Sequence, residues 1–370
     1  MNNRERFLAA LKLKVPDRVP CFDFFDKVSI INTAKVLFGG DIPEIKSEKG
    51  LVDHTLKEED YKYHALQLEL IEKMDLDAVG AWSLKDYRHI PDKGEDLVED
   101  GYGIIWRLTR HGEPVSVEGP VKDEGDLARI EGIKPSHKDF CLLEYFKEKA
   151  PEKVLVYGLV DPFRLSWSLL GGIDKLLPLY VMKPDFSLRL TRIATDLVKQ
   201  ELELAIDKGA EVVILEGDLA FKANTFMSRD HYREFIQPFH REICDATHQR
   251  GVPVIKHSDG NIWLIIDDLV ETGFDGLHPI EPQCMDIKEV KENLEGKVCL
   301  LGNIDCMHLL PFGTEQEVVA AVKDTIRKAA PGGGYILSSS NSIHPGCKGE
   351  NVVVMFEAAK KYGVYPISVE

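Results

Sequence analysis

VPVIKHSDG at 252–260 and FDGLHPIEP at 274–282, joined by a helical run, decide the fold of this chain. The apolar run Val252, Val254, Ile255 stops at Lys256, His257, Ser258 and Asp259, and the run through Phe274 and Leu277 stops at His278 and Glu281. Short buried strands that finish in ionisable residues mark the C-terminal rim of a parallel α/β barrel, where its chemistry sits. The segment reads as two neighbouring strands, the fifth and sixth, offering two histidines and two carboxylates to one pocket.

The same rhythm continues outward. EVVILEGD (211–218) is strand four and ends at Glu216 and Asp218; KVCLLGNID (297–305) is strand seven and ends at Asn303 and Asp305; GGYILSSSN (333–341) is strand eight and ends in Ser338 to Asn341. A helix from Ser228 to Gln249, with Ser228 as N-cap and Gly251 just past its end, links strands four and five, and Asn351 to Tyr362 is the last helix. Toward the N-terminus, VLVYGLV (154–160) is strand three; Asp161 and Pro162 follow it and the chain then carries Trp167 into the pocket region. Leu188 to Lys208 is a long amphipathic helix that Gly209 terminates, and Glu124–Ile130 and Phe140–Lys149 are shorter ones.

Asn2 to Lys14 predicts an amphipathic helix with Phe7, Leu8 and Leu11 on one side and Arg4, Glu5 and Arg6 on the other. Arg18 to Phe25 is strand one, residues 34–75 are helix-like, most clearly over Tyr61–Met74, and Asp77 to Trp82 is strand two. From 83 to about 117 the alternation breaks; Gly101, Gly103, the alternating IIWRL and the HGEP turn suggest an inserted hairpin, a rim or lid element. The count is eight strands with helices between most of them. That is an α/β fold: a single (β/α)8 TIM-type barrel over residues 1–370 with a hairpin inserted after strand two.

Bulk properties exclude several classes. A net charge of −16, from 62 acidic against 46 basic residues, repels nucleic acid and anionic membrane on average, so neither is an expected partner. The N-terminus lacks an apolar signal core and no apolar run approaches the roughly 18 residues of a membrane span, so the expected location is cytoplasmic. The seven cysteines are scattered, without a CxxC pair, which points to reduced thiols in the core.

Each candidate group has a plain structural alternative. His257 follows directly on a strand beside Asp259, and is either a functional imidazole or a barrel histidine bonded to its neighbours. Glu216 and Asp218 are catalytic carboxylates or loop caps; His278 and Glu281 are catalytic or rigidify the HPIEP turn. His344 and Cys347 share the loop SIHPGCKGEN, where the thiol is a zinc ligand, a reactive group or incidental.

GGYILSSSNSIHPG (333–346), ENVVVMFEAAKKYG (350–363), the GNID turn at 302–305, the HxxG turn from His257 to Gly260 and the opening ERFLAALKLKVPDRVP (5–20) resemble the uroporphyrinogen decarboxylase superfamily, over essentially the whole chain. The resemblance implies a (β/α)8 barrel and one of two activities: cofactor-free uroporphyrinogen decarboxylation, or zinc-dependent methyl transfer with a corrinoid protein. The decarboxylases carry an arginine-rich WMRQAGR-like segment where this chain has CFDFFDK (21–27), with acids where a polyanion needs cations. Their strand-two aspartate falls here at Trp82 or Ser83, their pocket tyrosine at Trp167 and their strand-eight histidine at Asn341.

The methyltransferase branch therefore fits better. Its zinc ligands, a His-x-Cys pair after strand five and a Cys after strand eight, correspond to His257, Asp259 and Cys347. Aspartate in the middle position makes the site harder and favours oxygen chemistry or another metal. The expected function is transfer of a methyl group from a small methoxylated or methylated substrate, an O-demethylation, to a corrinoid carried by a partner protein, with Zn2+ assistance. Glu216, Asp218, His278, Glu281 and Asn341 are the catalytic candidates, and Trp82, Trp167 and Asp305 the substrate-binding ones, with Trp106 also near the rim. A decarboxylase-type lyase and a non-catalytic small-molecule-binding barrel are the alternatives.

Overall fold

The computed structural model describes residues 1–39, 42, 58–83, 87–90, 96–108, 114–135, 140–294 and 296–368. The expected turn at 111–113, and residues 40, 41 and 43–57 of the expected helical stretch, lie outside these.

β1 (Ala78–Trp82) is followed by β2 (Tyr87–His89), β3 (Leu97–Asp100), β4 (Ile105–Arg107) and β5 (Val115–Glu118), then by β6 (Val154–Val160), β7 (Val212–Glu216), β8 (Val254–His257), β9 (Gly276–His278), β10 (Cys299–Ile304) and β11 (Tyr335–Ser339). Seven of these pair in parallel in the order β1-β6-β7-β8-β9-β10-β11. With helices in the connections, the curled sheet forms the wall of a TIM-type barrel.

The segment expected as strand one closes this wall without building a regular ladder. Cys21 and Phe25 make isolated parallel bridges to Leu337 and Ile343. On the other side the Asp77 amide donates to the Cys21 carbonyl at 2.9 Å. The ladder stops where aspartate side chains take its amides: Cys21 N–H donates to Asp77 Oδ2 and Ser339 N–H to Asp23 Oδ2, both at 2.7 Å. Pro20 has no N–H to give.

Alternation along the strands separates two cores. Phe22, Phe24, Val154, Val156, Ile214, Ile255, Leu301 and Ile336 fill the barrel, and Phe7, Ala10 and Leu11 of the helix Asn3–Leu11 plug its lower end. A larger apolar layer lies between sheet and helices. Each fully buried large side chain contributes about 1.5–3 kcal/mol. Arg6, expected on the exposed face of the first helix, is buried, because it reaches Asp77 Oδ1 at 2.6 Å and Asp17 Oδ1 at 2.7 Å.

Between β1 and β6 the expected hairpin is a four-stranded antiparallel sheet in the order β2-β3-β4-β5. Trp106 belongs to this sheet, its indole N–H donating to Asp100 Oδ2 at 2.8 Å. The helix expected from Ser228 to Gln249 is two helices, Arg229–Phe235 and Gln237–Gln249. Pro238 in the first turn of the second cannot donate to the preceding turn, so Ile236 leaves the helical conformation. Among the described residues no helix is long and apolar enough to cross a membrane.

Candidate functional site

Register brings the site together. Val160 is level with Glu216, Glu216 with His257, and His257 with His278, so β6 to β9 finish at one height. The interior below this layer is apolar.

Trp82, at the end of β1, forms one wall. Its indole N–H donates to both oxygens of Glu216 at 3.2 Å, and its ring lies on Phe24 with centroids 4.1 Å apart. The indole reaches β7 by passing over Gly158 of β6, where a methyl group would sit 2.0 Å from Nε1.

The two histidines meet through their Nδ1 atoms at 2.8 Å. Burial, reinforced by the positive charges of Lys256 and Arg164, pushes His257 down to about 3; burial and His257 push His278 well below the usual imidazole range. Both rings are neutral near pH 7, so one Nδ1–H donates to the other's lone pair. Nε2 of His257 faces Asp218 Oδ1 at 3.7 Å and Asp259 Oδ1 at 3.8 Å. When His257 Nδ1–H is the donor, that Nε2 turns a lone pair on two carboxylates, an arrangement a cation relieves.

Backbone and side-chain contacts fix the two acids. The Asp259 amide donates to Asp218 Oδ1 at 3.0 Å, and Asn341 Nδ2 donates to Asp259 Oδ2 at 2.6 Å. One ligand atom each from Asp218, His257 and Asp259 all lie within 4.8 Å of one another. An imidazole nitrogen and two carboxylate oxygens fit a divalent cation, and are harder than a thiolate set. Beside them the Gly260 amide donates to Glu281 Oε2 at 2.9 Å. The Cys284 thiol, raised to about 12 by burial and by its hydrogen bond to Glu281, stands at the same rim.

Asp218, His257, Asp259, His278 and Asn341 are thus joined by direct contacts, with Glu281 linked through Gly260, while Trp82 and Glu216 form a separate pair that strand register sets level with His257. Cys347 is not in the ligand group. It is buried, its thiol is directed at the Cys306 carbonyl at 3.7 Å, and burial raises it to about 12. His344 folds this loop with both ring nitrogens: Nε2 donates to the Cys306 carbonyl at 2.7 Å and Nδ1 accepts the Gly346 amide at 3.0 Å. Asp305 caps its own turn, accepting the amides of Met307 at 2.7 Å and His308 at 2.9 Å. Trp167 lies on the helix Pro162–Leu170 and packs against the layer between sheet and helices.

Sequence reasoning missed Gly158 and Phe24, which make room for Trp82 and support it, and Lys256 behind the rim. The available signal for Lys256 was a lysine between Ile255 and His257, one step out of phase with the site.

Residues 100–362 match the model of the uroporphyrinogen decarboxylase (URO-D) family. A uroporphyrinogen decarboxylase of Prochlorococcus marinus (strain MIT 9211) is 24% identical over 298 residues, covering 75% of this chain and 81% of the relative. A methylcobamide:CoM methyltransferase of Methanosarcina acetivorans is 23% identical over 255 residues, 68% of this chain and 72% of the relative. A solved methyltransferase from Methanosarcina mazei superposes with a TM-score of 0.74 at 20% identity, over 98% of this chain and 99% of that one, and shares the barrel fold.

Proposed function

The chain belongs to the uroporphyrinogen decarboxylase family, and from that premise we propose that it is a methyltransferase of the family, moving a methyl group from a small methoxylated or methylated substrate to the corrinoid of a partner protein. The convergence of Asp218, His257 and Asp259 carries this reading: three potential ligand atoms that could hold a cation meet at a rim of acids and imidazoles. The similarity to methylcobamide:CoM methyltransferases supports the choice of branch.

Asp218, His257 and Asp259 would hold zinc or a similar divalent ion. When bound, it supplies Lewis-acid charge beside the heteroatom that releases the methyl group. The other residues position and enclose. His278 fixes the tautomer of His257 through the Nδ1 contact, and Asn341 orients Asp259. Trp82, backed by the buried Phe24, would offer an aromatic face to a methoxylated ring. Glu216, held by the Trp82 indole, would serve as proton donor to the departing oxygen once it has itself taken a proton from solvent. Glu281 and Cys284 stand beside the carboxylate pair on the same rim.

Metal content of the purified protein beside His257→Ala, together with methyl transfer assayed with and without a corrinoid protein, tests the proposal. The parent is expected to carry about one equivalent of metal, the variant little, and transfer to require the corrinoid. Equal metal in both, or turnover of a porphyrinogen that survives chelation, would remove this reading in favour of a decarboxylase.

A further inference from the structure

On the helix side of the sheet, one ammonium group gathers the ends of two strands. Lys256 of β8 is 1% exposed, and its Nζ donates to the carbonyl oxygens of Leu215 at 3.3 Å, Gly217 at 2.6 Å and His257 at 2.7 Å, and pairs with Asp161 Oδ2 at 2.8 Å. Asp161 is anchored in turn. Its Oδ1 accepts the Phe163 amide at 2.7 Å, Oδ2 accepts His240 Nε2–H at 2.8 Å, and Tyr232 donates to His240 Nδ1 at 3.2 Å. Asp161, His240 and Tyr232 are 0% exposed.

The three carbonyls are those that frame the site. Leu215 and Gly217 flank Glu216, Gly217 precedes Asp218, and the third belongs to His257. Because the peptide unit is planar, fixing a carbonyl fixes the Cα that follows it, so the Gly217 contact places Asp218. Gly217 has no side chain to hold that turn, and a methyl group there would meet Asp161 Cβ at 2.5 Å. Stability does not account for the arrangement, because a buried ion pair replaced by apolar groups of similar size is often no less stable. What the ammonium does that an apolar side chain cannot is tie three backbone oxygens on two strands to one point.

We propose that Lys256 is a positioning residue that locks the ends of β7 and β8 so that Asp218, His257 and Asp259 converge on a cation. The inference rests on the cation-binding reading above and adds how that centre is held in place.

The test is titration of the full chain with Zn2+ or Mn2+ by calorimetry, with thermal unfolding of each metal-free protein alongside. Lys256→Met/Asp161→Asn removes both charges together and leaves neither buried alone; His240→Gln loosens the same network but keeps the lysine on its carbonyls. The double variant is expected to bind metal at least ~10-fold more weakly, as outer residues of metal sites do, while His240→Gln loses thermal stability and keeps its affinity within about two-fold. Lys256→Gln, which retains some of the carbonyl contacts, is expected to fall between parent and double variant, and carries the test if the double variant does not fold. Affinity unchanged in the lysine variants, or lost in every variant in proportion to stability, overturns the proposal. A parent chain that binds no cation overturns the functional reading itself, and the clamp with it.

Discussion

Gly158→Ala is the sharpest perturbation of the aromatic wall. The added methyl would lie 2.0 Å from Trp82 Nε1, 2.4 Å from Cδ1 and 2.9 Å from Cε2. These overlaps fall on a rigid ring, and the ring has little room, since Phe24 lies against it and its N–H is held by both oxygens of Glu216. Overpacking of this kind costs about 1–3 kcal/mol. A hydrogen bond to a charged group adds about 1.5–3 kcal/mol when buried, but Trp82 is 37% exposed, so its share is reduced to roughly 1 kcal/mol. The sum is a loss of about 2–4 kcal/mol. Denaturant unfolding of Gly158→Ala, Trp82→Phe and the double variant measures it. The smaller ring leaves space for the methyl and has no N–H to lose, so the two changes should couple by about 1–2 kcal/mol, and the double variant should be less destabilised than the sum of the singles. Additive effects, or a Gly158→Ala protein within about 0.5 kcal/mol of the parent, would refute the packing argument.

The ligand assignment makes a second prediction: saturating Zn2+ or Mn2+ at about 100 times its dissociation constant should raise parent stability by about 2.7 kcal/mol, Asp218→Asn should lose most of that gain, and Cys347→Ser should keep it; thermal unfolding with and without metal decides, and the opposite pattern would return Cys347 to the site. The third concerns pH. His257 titrates near 3 and His278 well below its usual range in the folded protein, so the folded state binds fewer protons than the unfolded one from about pH 6.5 down to about 3, and the stability these neutral rings contribute is complete above about 6.5 and lost as pH falls through that window. Asp23 has the opposite sign. Burial raises it to about 8, against the Ser339 contacts that lower it, so it stays protonated in the folded state and its contribution is lost as pH rises from about 4 through 8. The melting temperature of Asp23→Asn minus that of the parent should therefore grow over that range and level off above it; a flat difference would rule out a protonated Asp23.

The barrel was legible because its signal is local. A short apolar run that ends in charged residues must finish at a surface, and Val252–Asp259 and Phe274–Glu281 carry that pattern without reference to any other part of the chain. The acids and imidazoles of the rim could be named for the same reason. Convergence was different, because it depends on register and on which loop captures which group. His257 and Asp259 lie within reach of Asp218 because β7 and β8 align Glu216 with His257, while Cys347, equally plausible as a residue type, is drawn to the Cys306 carbonyl in its own loop. Strand one was expected as a regular strand, yet Asp77 and Asp23 intercept two of its ladder hydrogen bonds from positions that sequence spacing does not connect. The chain by itself therefore determined where its strands end and in what chemistry. Only the tertiary structure decided which of those ends meet, because a side chain's partner is set by the packing of distant segments and not by its own neighbours.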